Sequence, residues 1–139
     1  MAHFLTFVLL EPDQPDLLET ADSRMRVFFA SDMAENPNAK CDGFVIGGRF
    51  DGYIIGKEQH YNLSPAEYQK RYGLDVIQHS DNICIVSDIP NDVSPGAVVT
   101  ADGQWHDCFR ANARAWKAEW KKIRTSFPSH IAVAFDCHC

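Results

Sequence analysis

The sequence predicts a single α+β domain over 1–139, with a ferredoxin-like, mostly antiparallel sheet, helices on one face and an extra β-hairpin. Two strongly apolar runs, 3–10 and 131–136, predict the first and last strands, which we expect side by side in the centre of the sheet. From 110 to 126 the apolar residues recur every three or four positions, which predicts an amphipathic helix. The resulting order of strand, helix, several strands, long helix and final strand is typical of a sheet covered by helices.

Proline and acidic residues mark the end of the first strand and the start of the first helix. Pro12 and Pro15 end the strand, and a helix begins at 16–19 because proline suits a helix start and carboxylates favour its positive N-terminal end. Residues 26–30 are compatible with either a continued helix or a short strand. The composition of 36–40 then predicts a loop.

Residues 42–56 contain five of the eight glycines. Two short β-branched and aromatic runs, 44–46 and 53–55, flank the segment Gly47-Gly48-Arg49, which predicts a twisted hairpin with a sharp bend. A glycine pair is favoured where the backbone needs a positive φ or where another group approaches it closely. We therefore expect this bend to matter for function.

Capping and turn signals define the remaining elements. A short helix over 64–72 is predicted by a capping-box spacing with proline at the first helical position. The apolar run 83–86 predicts a buried strand. Two further runs, 96–100 and 105–108, flank an Asp-Gly centre, the strongest short-range signal for a hairpin.

The composition predicts a cytoplasmic globular protein. The apolar share is 45% and the charged share 23%, no apolar run approaches the length of a membrane span, and the N-terminus lacks a basic leader with a cleavage site. Five cysteines, an odd number, indicate free thiols in a reducing compartment. The net charge of −6 disfavours direct nucleic-acid binding, which needs clustered lysine and arginine, and is compatible with a basic partner.

The candidate catalytic or metal-ligating residues are His106, Asp136 and His138. Strand alternation puts Asp136 and His138 on one face of the last strand, together with the small Ala132 and Ala134. If the Asp-Gly hairpin lies against that face, His106 joins them, and two imidazoles with one carboxylate are ligands of a catalytic zinc site. The other interpretation is that hydrogen bonds or solvent satisfy these side chains, with no catalytic residue, no metal and no cofactor.

Cysteine chemistry offers a second zinc hypothesis, in which Cys108, Cys137 and Cys139 act with a histidine. Structural zinc sites usually draw on C-x2-C pairs, and that spacing does not occur here. Cys41 and Cys84 stand in apolar surroundings and are interpreted as core residues.

Arg49 is the predicted ligand-binding residue. A guanidinium that emerges from a glycine pair suits a carboxylate or phosphate, which it binds through two parallel hydrogen bonds. The competing interpretation is an ion pair with Asp42, Asp51 or Asp136. Neither spacing of a phosphate-binding glycine loop occurs in this segment. Within the long helix, the tryptophans are interpreted as core and the lysines beside them as solubilising.

Three segments resemble one family: Asp-Gly-Phe-Val-Ile-Gly-Gly-Arg-Phe-Asp-Gly at 42–52, Asp-Gly-Gln-Trp-His at 102–106, and Asp-Cys-His at 136–138. They are similar to small uncharacterised proteins of bacteriophages and bacteria that carry an I-G-G-R-[WF]-x-G hairpin, a D-G-x-W-H hairpin and a terminal D-C-H. The chain departs from that pattern at Phe50, where tryptophan is expected, and at Cys139, where an aliphatic residue is usual. The resemblance implies no known activity, but it implies a phage or mobile-element setting, in which small acidic proteins often inhibit host defences by binding their machinery.

Two functional hypotheses follow. In the first, the chain is a non-enzymatic, phage-type accessory protein of the host cytoplasm that binds a host protein or ribonucleoprotein, as an anti-CRISPR-like inhibitor of a host defence system does. In the alternative, it is a small hydrolase that depends on a divalent metal such as zinc, or a nucleotide-binding protein, with His106, Asp136 and His138 at the centre and Arg49 as an anion clamp. A purely structural role for the same residues is the third interpretation.

Overall fold

The protein is an α+β domain built on a mixed six-stranded sheet, as seen in a computed structural model that describes residues 2–56, 66, 70 and 79–139. Within 2–56 and 79–139, two helices and six strands carry the architecture. The helices are α1 (Leu17–Arg26) and α2 (Ala113–Ser126). The strands are β1 (His3–Leu10), β2 (Gly43–Ile46), β3 (Ile83–Ile85), β4 (Ala97–Val99), β5 (Trp105–Asp107) and β6 (Ile131–His138).

The first and last strands form the centre of the sheet, as predicted. β1 and β6 pair antiparallel over their whole lengths, from His3 opposite His138 to Leu10 opposite Ile131. The strand order is β2-β6-β1-β4-β5, and β3 shares with β2 the edge of β6 that faces away from β1. β1 and β4 are parallel, whereas the other pairings are antiparallel. The α+β class is therefore confirmed, but this order does not confirm a ferredoxin-like topology.

The two helices cover opposite faces of the sheet, so the prediction that they share one face is wrong. Alternate residues of β1 explain this, since Phe7 packs in one buried cluster with Trp120 of α2, and Val8 packs in another with Met25 of α1. Both central strands are apolar on both sides and need cover on both. Neither helix is long and apolar enough to cross a bilayer, and the same holds for every helix in the part of the chain that the structure describes.

The small-residue face of β6 is not open. Ala132 and Ala134 pack in the same buried cluster as Trp116 and Trp120, and the ring centroids of Trp120 and Phe7 lie 5.6 Å apart. The tryptophans are thus core residues, as predicted. The alanines make room for their rings, which cover this part of the strand.

Of the two predicted hairpins, only the one at the Asp-Gly turn forms. β4 and β5 pair antiparallel, with Val98 opposite His106. In the glycine-rich segment, the first arm becomes β2 and pairs with β6, while the second arm is a 3-10 turn, Tyr53–Ile55, so the hairpin prediction there is wrong. The edge of β6 offers Phe44 and its neighbours a longer apolar partner than the short 53–55 run does.

Three smaller predictions have different outcomes. The helix after the first strand ends at Arg26, and Phe29 then forms an isolated bridge with Cys41. The run at 83–86 supplies β3, but this strand is only half-buried and Ile85 is exposed. Most of the helix predicted over 64–72 lies outside the described residues.

Candidate functional site

Asp136 is a buried carboxylate on β6, with only 5% of its surface exposed. Its Oδ1 lies 2.8 Å from Nδ1 of His3, and its Oδ2 accepts a hydrogen bond of 2.9 Å from the backbone N–H of Arg49. Because an ionised carboxylate only accepts hydrogen bonds, the His3 ring carries its proton on Nδ1. Burial of this charge is therefore offset by two donors that come from β1 and from the turn after β2.

The turn after β2 reaches Asp136 because residue 48 has no side chain. Gly48 has a φ of +53°, and a Cβ at this position would lie 2.6 Å from Oδ2 of Asp136 and 2.9 Å from Cγ1 of Val45. Gly48 opens the 3-10 turn Gly48–Phe50, which directs the Arg49 N–H at the carboxylate. The glycine pair singled out in the sequence thus permits a close approach, and the group that approaches is a side chain of this protein.

His138 forms a second imidazole–carboxylate pair beside the first. Its Nδ1 lies 2.7 Å from Oδ1 of Asp42, just before β2. His3 and His138 are opposite each other in the β1–β6 register, and their ring centroids are 4.9 Å apart with an interplanar angle of 66°. We call His3, Asp42, Asp136 and His138 the histidine–aspartate cluster. It joins the ends of three strands and leaves both imidazoles partly exposed, at 29% and 28%.

His106 does not belong to this cluster, so the predicted grouping of His106, Asp136 and His138 is wrong. His106 lies on β5, at the far edge of the sheet, where its Nδ1 is 3.1 Å from Oε1 of Glu119 and its Nε2 is 3.3 Å from Oγ1 of Thr100. Across 2–56 and 79–139, no three or more histidine, cysteine, aspartate or glutamate side chains are arranged to hold a metal ion.

Arg49 contacts Asp136 through its backbone N–H. This hydrogen bond is made by the main chain, so the predicted ion pair of the guanidinium and its predicted role in ligand binding both stay predictions. Asp51, another predicted partner, accepts a hydrogen bond of 2.8 Å from Nδ2 of Asn82, whose Oδ1 accepts from the N–H of Gly52. Asn82 is fully buried and fixes this turn against the start of β3.

The three cysteines of the second zinc hypothesis do not meet. Cys137 is buried among the residues that pack under α1, Cys108 packs on the opposite side of the sheet, and Cys139 is exposed. A hydrogen bond with the Cys41 thiol and burial raise the pKa of Cys137 well above its usual range. A thiol held neutral in this way is a poor nucleophile and a poor metal ligand.

The outer surface of α2 forms a second candidate site, of a different kind. Five exposed cations lie on the helix or just before it: Arg110, Arg114, Lys117, Lys121 and Lys122. None of them forms an ion pair with any residue that the structure describes. We call these five residues the cationic face. The one acid of α2, Glu119, points away from it toward His106.

Comparisons with known proteins give no further information about either site. A scan against protein-family models, a search of curated proteins and a search of solved structures each found no match.

Sequence reasoning missed His3 and interpreted the lysines of α2 only as solubilising residues. His3 could have been found from the expected pairing of the first and last strands, because a histidine near the start of one strand would then face a histidine near the end of the other. The basic character of 110–124 and the inward side of the helix were both visible in the sequence, and the structure adds that the exposed cations form no ion pair with a described residue.

Proposed function

We propose that this chain is a phage-type accessory protein that binds a host macromolecule and thereby inhibits a host defence system, and that the cationic face of α2 is its contact surface. The phage setting is supported by the resemblance of the three segments described above. The choice of surface is supported by one observation, which is the segregation of charge between α2 and the rest of the chain.

Positive charge is concentrated in a small part of an acidic protein. Residues 110–124 hold six of the 13 lysines and arginines and one of the 19 acids, a net charge of +5, so the remaining residues carry −11. Such a separation creates a strong local potential that steers an oppositely charged partner into contact. The net charge of the whole chain is compatible with a basic partner, whereas the cationic face attracts an acidic one.

The arrangement of these cations does not serve helix stability. Arg114 lies in the first turn of α2, which holds no acid, and a cation there opposes the helix dipole. Arg114 and Lys117 are three residues apart and Lys117 and Lys121 four, spacings at which like charges destabilise a helix by about 0.2–0.5 kcal/mol per pair. A cost of this kind is expected where the charges act on something outside the protein.

The composition of the cationic face and of the surface around it favours an acidic protein as the partner over a membrane or a nucleic acid. The large apolar side chains of α2, Trp116 and Trp120, are turned into the core, so the helix has no exposed apolar stripe to insert into a membrane. An extended nucleic acid would lie along the remaining surface, where the charge of −11 repels phosphates. A host protein, alone or in a ribonucleoprotein, can instead present a compact acidic patch to one helix.

The test compares Lys117→Glu with Lys40→Glu, a matched control that makes the same change of charge at an exposed lysine outside α2. Purified variants are immobilised and exposed to host lysate, with the retained protein quantified at low and high salt. Wild type and Lys40→Glu are expected to retain one stoichiometric acidic protein that is lost at high salt, and Lys117→Glu is expected to lose it at low salt.

The same variant separates binding from folding. The carboxylate introduced by Lys117→Glu would face Arg114 and Lys121 at favourable spacings, so the thermal midpoint of this variant should equal or slightly exceed that of wild type. Equal retention by Lys117→Glu and Lys40→Glu, or no stoichiometric partner for wild type, would contradict the proposal.

A further inference from the structure

We propose that His3 and His138 together bind one zinc ion through their Nε2 atoms, with Asp136 and Asp42 acting as the carboxylates that orient the two rings. This site differs from the predicted one in its ligands, because His3 takes the place of His106 and Asp136 supports a ligand without being one. It rests on the geometry of the histidine–aspartate cluster and is independent of the function proposed for α2.

The distance between the rings fits a shared ion. Two imidazoles bound to one tetrahedral zinc, each with a Zn–N distance of about 2.0–2.1 Å, have ring centroids about 5 Å apart. The centroids of His3 and His138 are 4.9 Å apart, and their planes differ by 66°. Their opposite positions in the antiparallel register, on the same face of the sheet, hold the rings at this distance before any ion arrives.

The hydrogen bonds of both rings leave the correct nitrogen for the metal. Nδ1 of each ring is held by a carboxylate, at 2.8 Å from Asp136 and at 2.7 Å from Asp42. With the proton on Nδ1, the lone pair of a neutral imidazole is on Nε2. Metal-ligating histidines almost always have this carboxylate or carbonyl support, which fixes the ring and raises its basicity.

Charge and access also favour a dication. Two carboxylates lie next to two imidazoles that are neutral when they bind metal, so the cluster attracts a cation and repels an anion. Both rings are more than a quarter exposed, which leaves a path for the ion. The described residues offer no third ligand, so the coordination is completed by water or by a further donor outside this set.

The experiment titrates tag-free protein with zinc alone in a calorimeter. Wild type is expected to bind one equivalent, and His3→Gln and His138→Gln are each expected to abolish that binding. His106→Gln is the matched control, since this residue is also a sheet histidine bonded to a carboxylate, and should leave affinity unchanged. Asp42→Asn should weaken binding by about 10–100-fold, the usual effect of removing a supporting carboxylate.

A second measurement on wild type guards against variants that fail to fold. Nitrogen NMR of the imidazoles should show Nε2 of two histidines shifting on addition of zinc, with their Nδ1 protons retained. Zinc binding that survives both His3→Gln and His138→Gln, shifts confined to other histidines, or no binding to wild type would each overturn the proposal.

Discussion

Gly103 and Gly48 both have a positive φ, but glycine is needed at the two positions for different physical reasons. At Gly103, φ is +84° and an added Cβ would meet nothing within 4 Å, so only the backbone conformation of the β4–β5 turn demands glycine. At Gly48, φ is +53° and an added Cβ would lie 2.6 Å from the Asp136 carboxylate. One glycine serves a local turn, and the other makes room for a side chain that is distant in sequence.

The comparison shows why the two hairpin predictions had opposite outcomes. An Asp-Gly turn favours its hairpin through local conformation alone, so the prediction holds wherever the flanking runs can pair. The Gly47-Gly48 bend is instead shaped by contact with β6, and its second arm forms a 3-10 turn in place of a strand. Glycine in a sequence marks a backbone requirement without identifying its source.

The largest effect is expected for Gly48→Ala. The new methyl group must displace the Asp136 carboxylate, which breaks the hydrogen bonds to His3 and Arg49, and alanine is also strained at this φ. Left-handed strain of about 1–2 kcal/mol and overpacking of about 1–3 kcal/mol predict a total loss of roughly 2–5 kcal/mol. Urea unfolding followed by tryptophan fluorescence measures the change in the free energy of unfolding. A loss below about 1 kcal/mol, which is the lower limit of each of the two costs, would show that the turn moves away from Asp136 easily.

An intermediate effect is expected for Asp136→Asn, which keeps the shape of the side chain. In the wild type, His3 and Arg49 each donate to one oxygen of Asp136. The amide of asparagine has only one acceptor oxygen, so one of these two donors faces an NH2 group. A buried donor left without a partner costs about 1–3 kcal/mol. The urea midpoint should therefore fall between those of Gly48→Ala and wild type. Stability equal to wild type would mean that the carboxylate charge contributes nothing to holding the three strands together.

The smallest effect is expected for Gly103→Ala. Space is available for the methyl group, so only the positive φ opposes it, at roughly 1 kcal/mol. Gly103→Asn serves as the control, because asparagine tolerates this conformation and should cost less than alanine. The same urea experiment applies, and the contrast between the two turns would be lost if Gly103→Ala were as damaging as Gly48→Ala.

Local and periodic features of the sequence determined much of the fold. The apolar runs of β1 and β6, the spacing of Trp116, Trp120 and Ile123 on α2, and the Asp-Gly turn were sufficient to predict the central strand pair, the long helix and one hairpin. Each of these depends on neighbours in sequence or on hydrophobicity along one segment, which the chain states directly.

The tertiary structure alone decided how distant segments combine. Sequence periodicity could not show that α1 and α2 cover opposite faces, that β2 joins β6 instead of residues 53–55, or that His3, and not His106, lies beside His138. These outcomes depend on the relative burial achieved by competing pairings and on strand order, which no single segment encodes. The candidate site was therefore half predictable, because Asp136 and His138 share a strand face, whereas their partners come from elsewhere in the chain.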